Sequence, residues 1–342
     1  MAYPLDEELK SIASLKMPRN VKLLPIMNWF MNIFRCKADD DVDVKKYKIT
    51  GFKGTKLKTF VIEPRNVEKE LPCLVFFHGG GFMLKASGAH YQLAKEYAAK
   101  IPCKVVYVDY RLAPKYPFPV PVEDCFAAYK WVLENAKNLG IKEDKIMIAG
   151  DSAGGNLATA VTLMARDRGV AMPLALMLIY PVTDRRMMTE SMKKYTDTPV
   201  WDASLSKMMW DAYLGEQQPE HMEYASPVEA SSFERFPSTY IEVAEFDSLH
   251  DEGILLYDKL KTAFAKNEML PGGYVFKGFT AKGVSLIDPS GEVRLLSKAK
   301  ILQALVISQT FIDVLYSEAT LNSAPKYFES IDIPLYLAVL SK

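Results

Sequence analysis

Short apolar runs rich in Val, Ile, Leu and aromatic residues recur along the chain, each closed by turn residues: LKTFVIEP (57–64), CLVFFH ending at His78, KVVYVDY ending at Tyr110, KIMIAG ending at Gly150, LALMLIY ending at Tyr180 and TYIEVAE ending at Glu245. Runs of this kind predict strands buried on both faces. Between them, apolar positions return at helical spacing over about 88–100, 121–138, 153–168 and 251–264, which predicts helices laid on a sheet. Strand and helix in alternation predict an α/β fold, with a mostly parallel central sheet and helices on both faces. Such sheets gather their chemistry beyond the carboxyl ends of the strands, and His78, Tyr110, Ser152, Asp184 and Asp247 fall there.

Two stretches break the alternation. Residues 1–45 read as a mixed helical lead-in to a body spanning 46–264, and residues 185–225 interrupt that body with Met187, Met188, Met192, Trp201, Met208, Met209 and Trp210. Met and Trp offer adaptable apolar surface. The stretch is expected to form a cap whose Met and Trp side chains either line a site for an apolar group or pack the cap onto the body.

A chain of 342 residues suits one large domain with an insertion. Lys and Arg total 42 and Asp and Glu total 42, so no net field steers it toward nucleic acid or an anionic surface, and the expected partner is a small molecule or another protein. The opening MAYPLDEELKSIASLKMPRN is broken by charge and proline, without the apolar run of a signal peptide or a membrane span, so a cytoplasmic location is expected. Cys36, Cys73, Cys103 and Cys125 are scattered and read as free thiols rather than a zinc site or redox pair. No metal and no organic cofactor is expected.

Gly150-Asp151-Ser152-Ala153-Gly154 matches the G-x-S-x-G elbow, with the strand KIMIAG running in and the helix NLATAVTLMARD running out. A sharp turn there lifts the serine hydroxyl above the sheet, and its neighbours must be small where the backbone is crowded. His78-Gly79-Gly80-Gly81-Phe82 follows another predicted strand. Its glycines let main-chain N–H groups approach a developing oxyanion, so Gly80 and Gly81, with Ala153 just after the serine, form a candidate three-donor hole. A phosphate-cradling loop is the rival reading, but no Lys-Ser/Thr follows as such a loop requires.

HGGGF (78–82), VDYRLAPKYPFP (108–119), GDSAGG (150–155) and AEFDSLHDEG (244–253) together resemble the ordered motifs of the hormone-sensitive-lipase family, over about residues 45–264. The resemblance implies an α/β-hydrolase fold with a helical cap over the site and hydrolysis of short- to medium-chain acyl esters by Ser152. It implies that His78 supports the glycine loop. Phe82, Trp201, Met208, Met209 and Trp210 become candidates for the acyl pocket, and a homo-oligomer formed at the sheet edge near the last strand is possible.

Ser152 needs a base, and the base needs an acid to orient it, in the chain order Ser, Asp or Glu, His. Asp247 ends a predicted strand and matches the family's acid; as a plain residue it would cap the helix that follows. Asp251 reads as a first-turn helix carboxylate. The histidines are His78, His90, His221 and His250, so none follows His250 to supply the base. Phe276-Lys277-Gly278-Phe279 is the nearest match to the family pattern, and Lys277 stands where the resemblance puts the imidazole. A lysine keeps its proton at neutral pH unless burial depresses its pKa by several units. His250 and His221 are further candidates, one about a turn into the next helix and the other in the cap.

Residues 265–342 depart from the family. GGYVFKGFTAKG and VSLIDPSGEVRLLS read as strands, with VSL and VRLL around Asp-Pro-Ser-Gly-Glu forming a hairpin; KAKILQALVISQTFIDVLYS has helical spacing, and the tail has no counterpart. Three readings follow: a serine carboxylesterase impaired by the missing histidine, a hydrolase-like protein that keeps the pocket to bind a small molecule, and a hydrolase left incomplete by a foreign ending.

Overall fold

The structure is a computed structural model that describes Tyr3, residues 17–65, 67 and 70–265, and the strands at 275–280, 283–287, 293–296 and 336–340. After helix α1 (Leu24–Met31) come β1 (Val42–Thr50), β2 (Lys56–Pro64), β3 (Leu71–Phe77), α2 (Gly88–Lys100), β4 (Lys104–Asp109), α3 (Val120–Asn135), β5 (Ile141–Asp151), α4 (Ala153–Asp167) and β6 (Ala175–Ile179). The chain continues with α5 (Glu190–Lys194), α6 (Ala203–Tyr213), β7 (Ser238–Val243), α7 (His250–Ala265), β8 (Val275–Thr280), β9 (Gly283–Ile287), β10 (Val293–Leu296) and β11 (Tyr336–Leu340).

The central sheet runs β1-β2-β4-β3-β5-β6-β7-β11. Strands β4, β3, β5, β6 and β7 pair in parallel, while β1, β2 and β11 join antiparallel. The expected α/β sheet is therefore present, built from the apolar runs that predicted it. Alternate residues of β3 divide between two cores: Val75 and Phe77 face the larger one with α3 and α4, and Leu74 and Phe76 face the other with α2. All four cysteines are free and buried.

One feature corrects the sequence expectation. The lead-in does not stay helical to residue 45, because β1 begins at Val42. Its VDVKKYKIT exposes most positions, as suits an edge strand protected by lysines, so it lacks the apolar run that marks buried strands. Lys277 lies in a strand, as the reading of GGYVFKGFTAKG expects. It falls within β8 of a separate three-stranded sheet ordered β10-β9-β8, at a register shift between Phe276 and Gly278. A glycine just after the irregular position tolerates such a bulge, and the place beside β7 is taken by β11. The Lys277 side chain lies outside the described residues, as does the predicted helix over KAKILQALVISQTFIDVLYS. The predicted hairpin is present, with β9 and β10 pairing antiparallel.

The order of strands fixes the place of any site. From β3 the chain crosses to β4 on one side and then to β5 on the other, so a crevice opens beyond the carboxyl ends of β3 and β5. The loop after β4 is held there by Arg111, which donates from Nε to Asp124 Oδ2 at 2.7 Å and from a terminal nitrogen to Oδ1 at 2.8 Å.

Candidate active site

Strand β5 delivers Ser152 at φ 53° and ψ −118°, backbone space that an L side chain enters only at a cost of about 1–3 kcal/mol. The turn is held from both sides: Ser152 N donates to Ile179 O at 2.8 Å and Val182 N donates to Ser152 O at 3.1 Å. The next turn has no room for a side chain, since a Cβ on Gly154 would run into the carbonyl oxygen of Phe77. The start of α4 therefore rests directly on the end of β3.

There the glycine loop begins. Gly80 has φ +110° and Gly81 φ +60°, and Gly80 O accepts from Met83 N at 3.1 Å and from Leu84 N at 2.9 Å. Among the described residues, the amides of Gly80, Gly81 and Ala153 make no backbone hydrogen bond. Three N–H groups on either side of one crevice are thus left for an acceptor.

The loop is tied to the elbow by Asp151, a residue that motif reading passes over. Asp151 Oδ1 accepts from Gly79 N at 2.9 Å, and Oδ2 lies 3.2 Å from His90 Nε2. His90 Nδ1 accepts from the Ser87 amide at 3.1 Å, so that nitrogen carries a lone pair, and Nε2 holds the proton donated to Asp151. Ser87 and His90 also form a reciprocal capping box at the start of α2. The Ser-x-x-His spacing before a helix was the only sequence sign of this arrangement, and nothing in it pointed to Asp151.

His78 is 1% exposed. Its Nδ1–H donates to Gly79 O at 2.7 Å, its ring stacks on Tyr110 with centroids 4.5 Å apart, and its carbonyl accepts from the Tyr110 hydroxyl at 2.6 Å. Burial lowers its pKa to about 4, so the ring is neutral at physiological pH.

Asp247 lies in the loop between β7 and α7. Its Oδ1 accepts from Leu249 N at 2.9 Å and its carbonyl accepts from His250 N at 3.1 Å, so it shapes the entry to α7 as a cap would. Burial pushes its carboxyl above the ordinary range, opposed by the Leu249 amide. His250 pairs through Nδ1 with Asp251 Oδ1 at 2.7 Å, while Asp251 Oδ2 accepts from Ser191 N at 2.7 Å. His221 is exposed in the cap, with Nδ1 3.1 Å from Glu223 Oε1.

Glu252 is a second residue that the sequence did not single out. Its carboxyl is fully buried, and Oε2 accepts from Thr183 N at 3.0 Å and Asp184 N at 3.1 Å. Oε1 has no partner among the described residues. Burial raises its pKa to about 8. This carboxyl joins the start of α7 to the segment where the cap departs from β6.

Above the glycine loop lie the apolar residues of the cap. A Cβ on Gly81 would stand 2.5 Å from Trp201 Cη2 and 3.3 Å from Met209 Cγ, so α6 covers the loop closely. Phe82, at φ 58°, turns its ring into the interior, where it stacks on Tyr213 with centroids 3.8 Å apart. Of the five acyl-pocket candidates, Phe82 and Met209 are 0% exposed and Trp210 is 6% exposed. These three are buried where the cap meets the loop, which is the packing alternative that the sequence left open. Trp201 and Met208 remain half-buried.

The chain matches the family described as alpha/beta hydrolase fold over residues 74–279, more than half its length. It is 34% identical over 200 residues to the esterase LipI of Mycobacterium tuberculosis, a stretch covering 57% of this chain and 62% of that protein. It is 40% identical over 120 residues to human hormone-sensitive lipase, covering 35% of this chain and 11% of that protein. Among solved structures, a bacterial heroin esterase superposes with a TM-score of 0.70 at 33% identity, covering 76% of this chain and 86% of that one. The match runs to residue 279, past the boundary at 264 that the motifs suggested, and so takes in Phe276-Lys277-Gly278-Phe279. The chain therefore belongs to the α/β-hydrolase fold family and is similar to esterases and to part of hormone-sensitive lipase.

Proposed function

We propose that the chain is a carboxylic ester hydrolase acting on short- to medium-chain acyl esters, with Ser152 as nucleophile, Gly80, Gly81 and Ala153 as oxyanion donors, and Asp247 as the acid. One observation carries this reading: a serine held at positive φ beside a glycine loop whose amides have no backbone partner, the two joined through Asp151. The esterase relatives support the reaction class.

In this reading Ser152 Oγ attacks the ester carbonyl carbon, and the carbonyl oxygen takes up negative charge against the three amides. The alcohol then leaves, and water hydrolyses the acyl-serine. Donors already in position lose nothing to reorganisation as charge develops, and each is worth about 3 kcal/mol of transition-state stabilisation. His78 holds the loop while remaining neutral. With no histidine after His250, the serine proton has no dedicated acceptor, and the residual acceleration over water is expected at about 10³-fold, the level left when one triad member is removed.

A fluorophosphonate probe followed by intact-mass measurement tests the assignment, alongside p-nitrophenyl acetate hydrolysis. One adduct on Ser152 is expected, together with slow turnover, and both are lost in Ser152→Ala. An unlabelled parent whose hydrolysis survives in Ser152→Ala overturns it. An ester held tightly and never cleaved would favour the binding-protein reading, for which the missing histidine is the one supporting observation.

A further inference from the structure

His90 has no part in the chemistry proposed above, yet it touches the residue next to the nucleophile. It stands in the first turn of α2, and its ring has a partner on each side. Nδ1 accepts from the Ser87 amide at 3.1 Å and from the Ser87 hydroxyl at 2.8 Å, while Nε2 donates to Asp151 Oδ2 at 3.2 Å. The Ser87 side completes the cap of α2. The Asp151 side has no such local reason, since it joins residues 61 positions apart.

Asp151 is buried, and each of its carboxyl oxygens is held by a donor, Oδ1 by Gly79 N at 2.9 Å and Oδ2 by His90. A buried carboxylate oxygen left without a donor is costly, so removing the His90 N–H turns the group toward other donors and loosens its hold on Gly79. The carboxylate lies hard against the loop: a Cβ on Gly79 would run into Asp151 Oδ2. Its rotation therefore shifts Gly79 and, with it, the amides of Gly80 and Gly81. Helix α2 is seated firmly, with Ala94 and Ala98 buried among Leu74 and Phe76 of β3, so the imidazole ties the loop to a fixed element. Oxyanion donors act on charge that exists only in the transition state, and a misplacement of about 1 Å can cost about 10²-fold in rate.

We propose that His90 is a positioning residue for the ester hydrolysis. Through Asp151 Oδ2 it fixes the carboxylate that sets Gly79, and so the amides of Gly80 and Gly81 that receive the oxyanion. The inference rests on the oxyanion assignment made above and adds to it a residue that acts only through another side chain.

Two amide side chains separate the two sides of the ring. Asparagine places an acceptor oxygen where Nδ1 stands, so His90→Asn keeps the partner of Ser87 and loses the donor to Asp151; glutamine places an N–H where Nε2 stands, so His90→Gln keeps the donor and loses the acceptor. With p-nitrophenyl acetate, His90→Asn is expected to lower kcat by about tenfold or more while KM stays within about twofold. His90→Gln is expected to recover most of that loss, although its weakened helix cap lowers Tm. The rate of fluorophosphonate labelling at Ser152 is expected to follow the same order. In an Asp151→Ala background, His90→Asn is expected to cost no more than about twofold further. The inference is overturned if the two variants lose activity in proportion to their Tm, if KM rises while kcat holds, or if His90→Asn costs as much without Asp151 as with it. A parent that is not labelled at Ser152 removes the ester-hydrolase reading and this one with it, whereas a labelled parent whose His90 variants are labelled equally fast removes this one alone.

Discussion

Glu252 makes the fold sensitive to pH in a direction opposite to that of an ion-paired carboxylate. An ordinary glutamate titrates near 4.5, and burial raises this one to about 8. Between those values the folded chain keeps a proton that the unfolded chain has released, so the stability that Glu252 contributes is fully present below pH 4.5 and is lost as pH rises toward 8. The slope is about 1.4 kcal/mol per pH unit where the two states differ by one proton, or ~2.5 kcal/mol between pH 5 and pH 7. Glu252→Gln keeps an acceptor oxygen for the amides of Thr183 and Asp184 and has no proton to lose. Urea unfolding of parent and variant at three pH values across that interval gives the two stability curves, and every other titrating group cancels in their difference. The parent is expected to lose ~2.5 kcal/mol relative to Glu252→Gln from the acid to the neutral end. Curves that stay parallel would mean that Glu252 is ionised in the fold and that burial does not govern its proton.

Two further outcomes follow from the elbow and from β8. Gly154→Ala places a Cβ against the Phe77 carbonyl, where both partners are main chain, so a loss of about 3 kcal/mol or more is expected from overpacking, read as a lowered Tm and absent fluorophosphonate labelling; an unaltered Tm refutes the close approach. Lys277 lies at a bulge in the β10-β9-β8 sheet, outside the sheet that carries Ser152, so Lys277→His is expected to leave p-nitrophenyl acetate turnover within about threefold of the parent, whereas a positioned base would contribute about 10²-fold or more and place residue 277 beside the serine.

The parts of this fold that were legible in the sequence are those whose cause is local. The central parallel strands are continuous apolar runs because both faces are covered, and the elbow and glycine loop declare themselves because crowded backbone admits only small residues. Strand β1 was not legible, since an edge strand rich in lysine looks like a loop or a helix surface. Asp151 and His90 were missed because their contacts join residues 72 and 61 positions apart. Glu252 was missed for a different reason: an acid in the first turn of a helix normally faces solvent, and only the packing of α7 against the Thr183 segment removes it from water. The burial of Phe82 and Met209 also depended on how the cap folds back, which no local pattern records.

The carboxylate of Asp151 has a consequence for how the chain tolerates change. It fastens the nucleophile's turn to the amide-bearing loop, and every group in that fastening lies between residues 78 and 152. Together with the bonds of Ser152 to Ile179 and Val182, it makes the proposed electrophile-binding part a unit whose fastenings, among the described residues, end at residue 182. In the proposed reading, a change beyond that unit can discard the proton-transfer equipment while the acylation cradle keeps its shape, and a single well-placed imidazole, supplied by design or by a partner, would find that cradle already assembled.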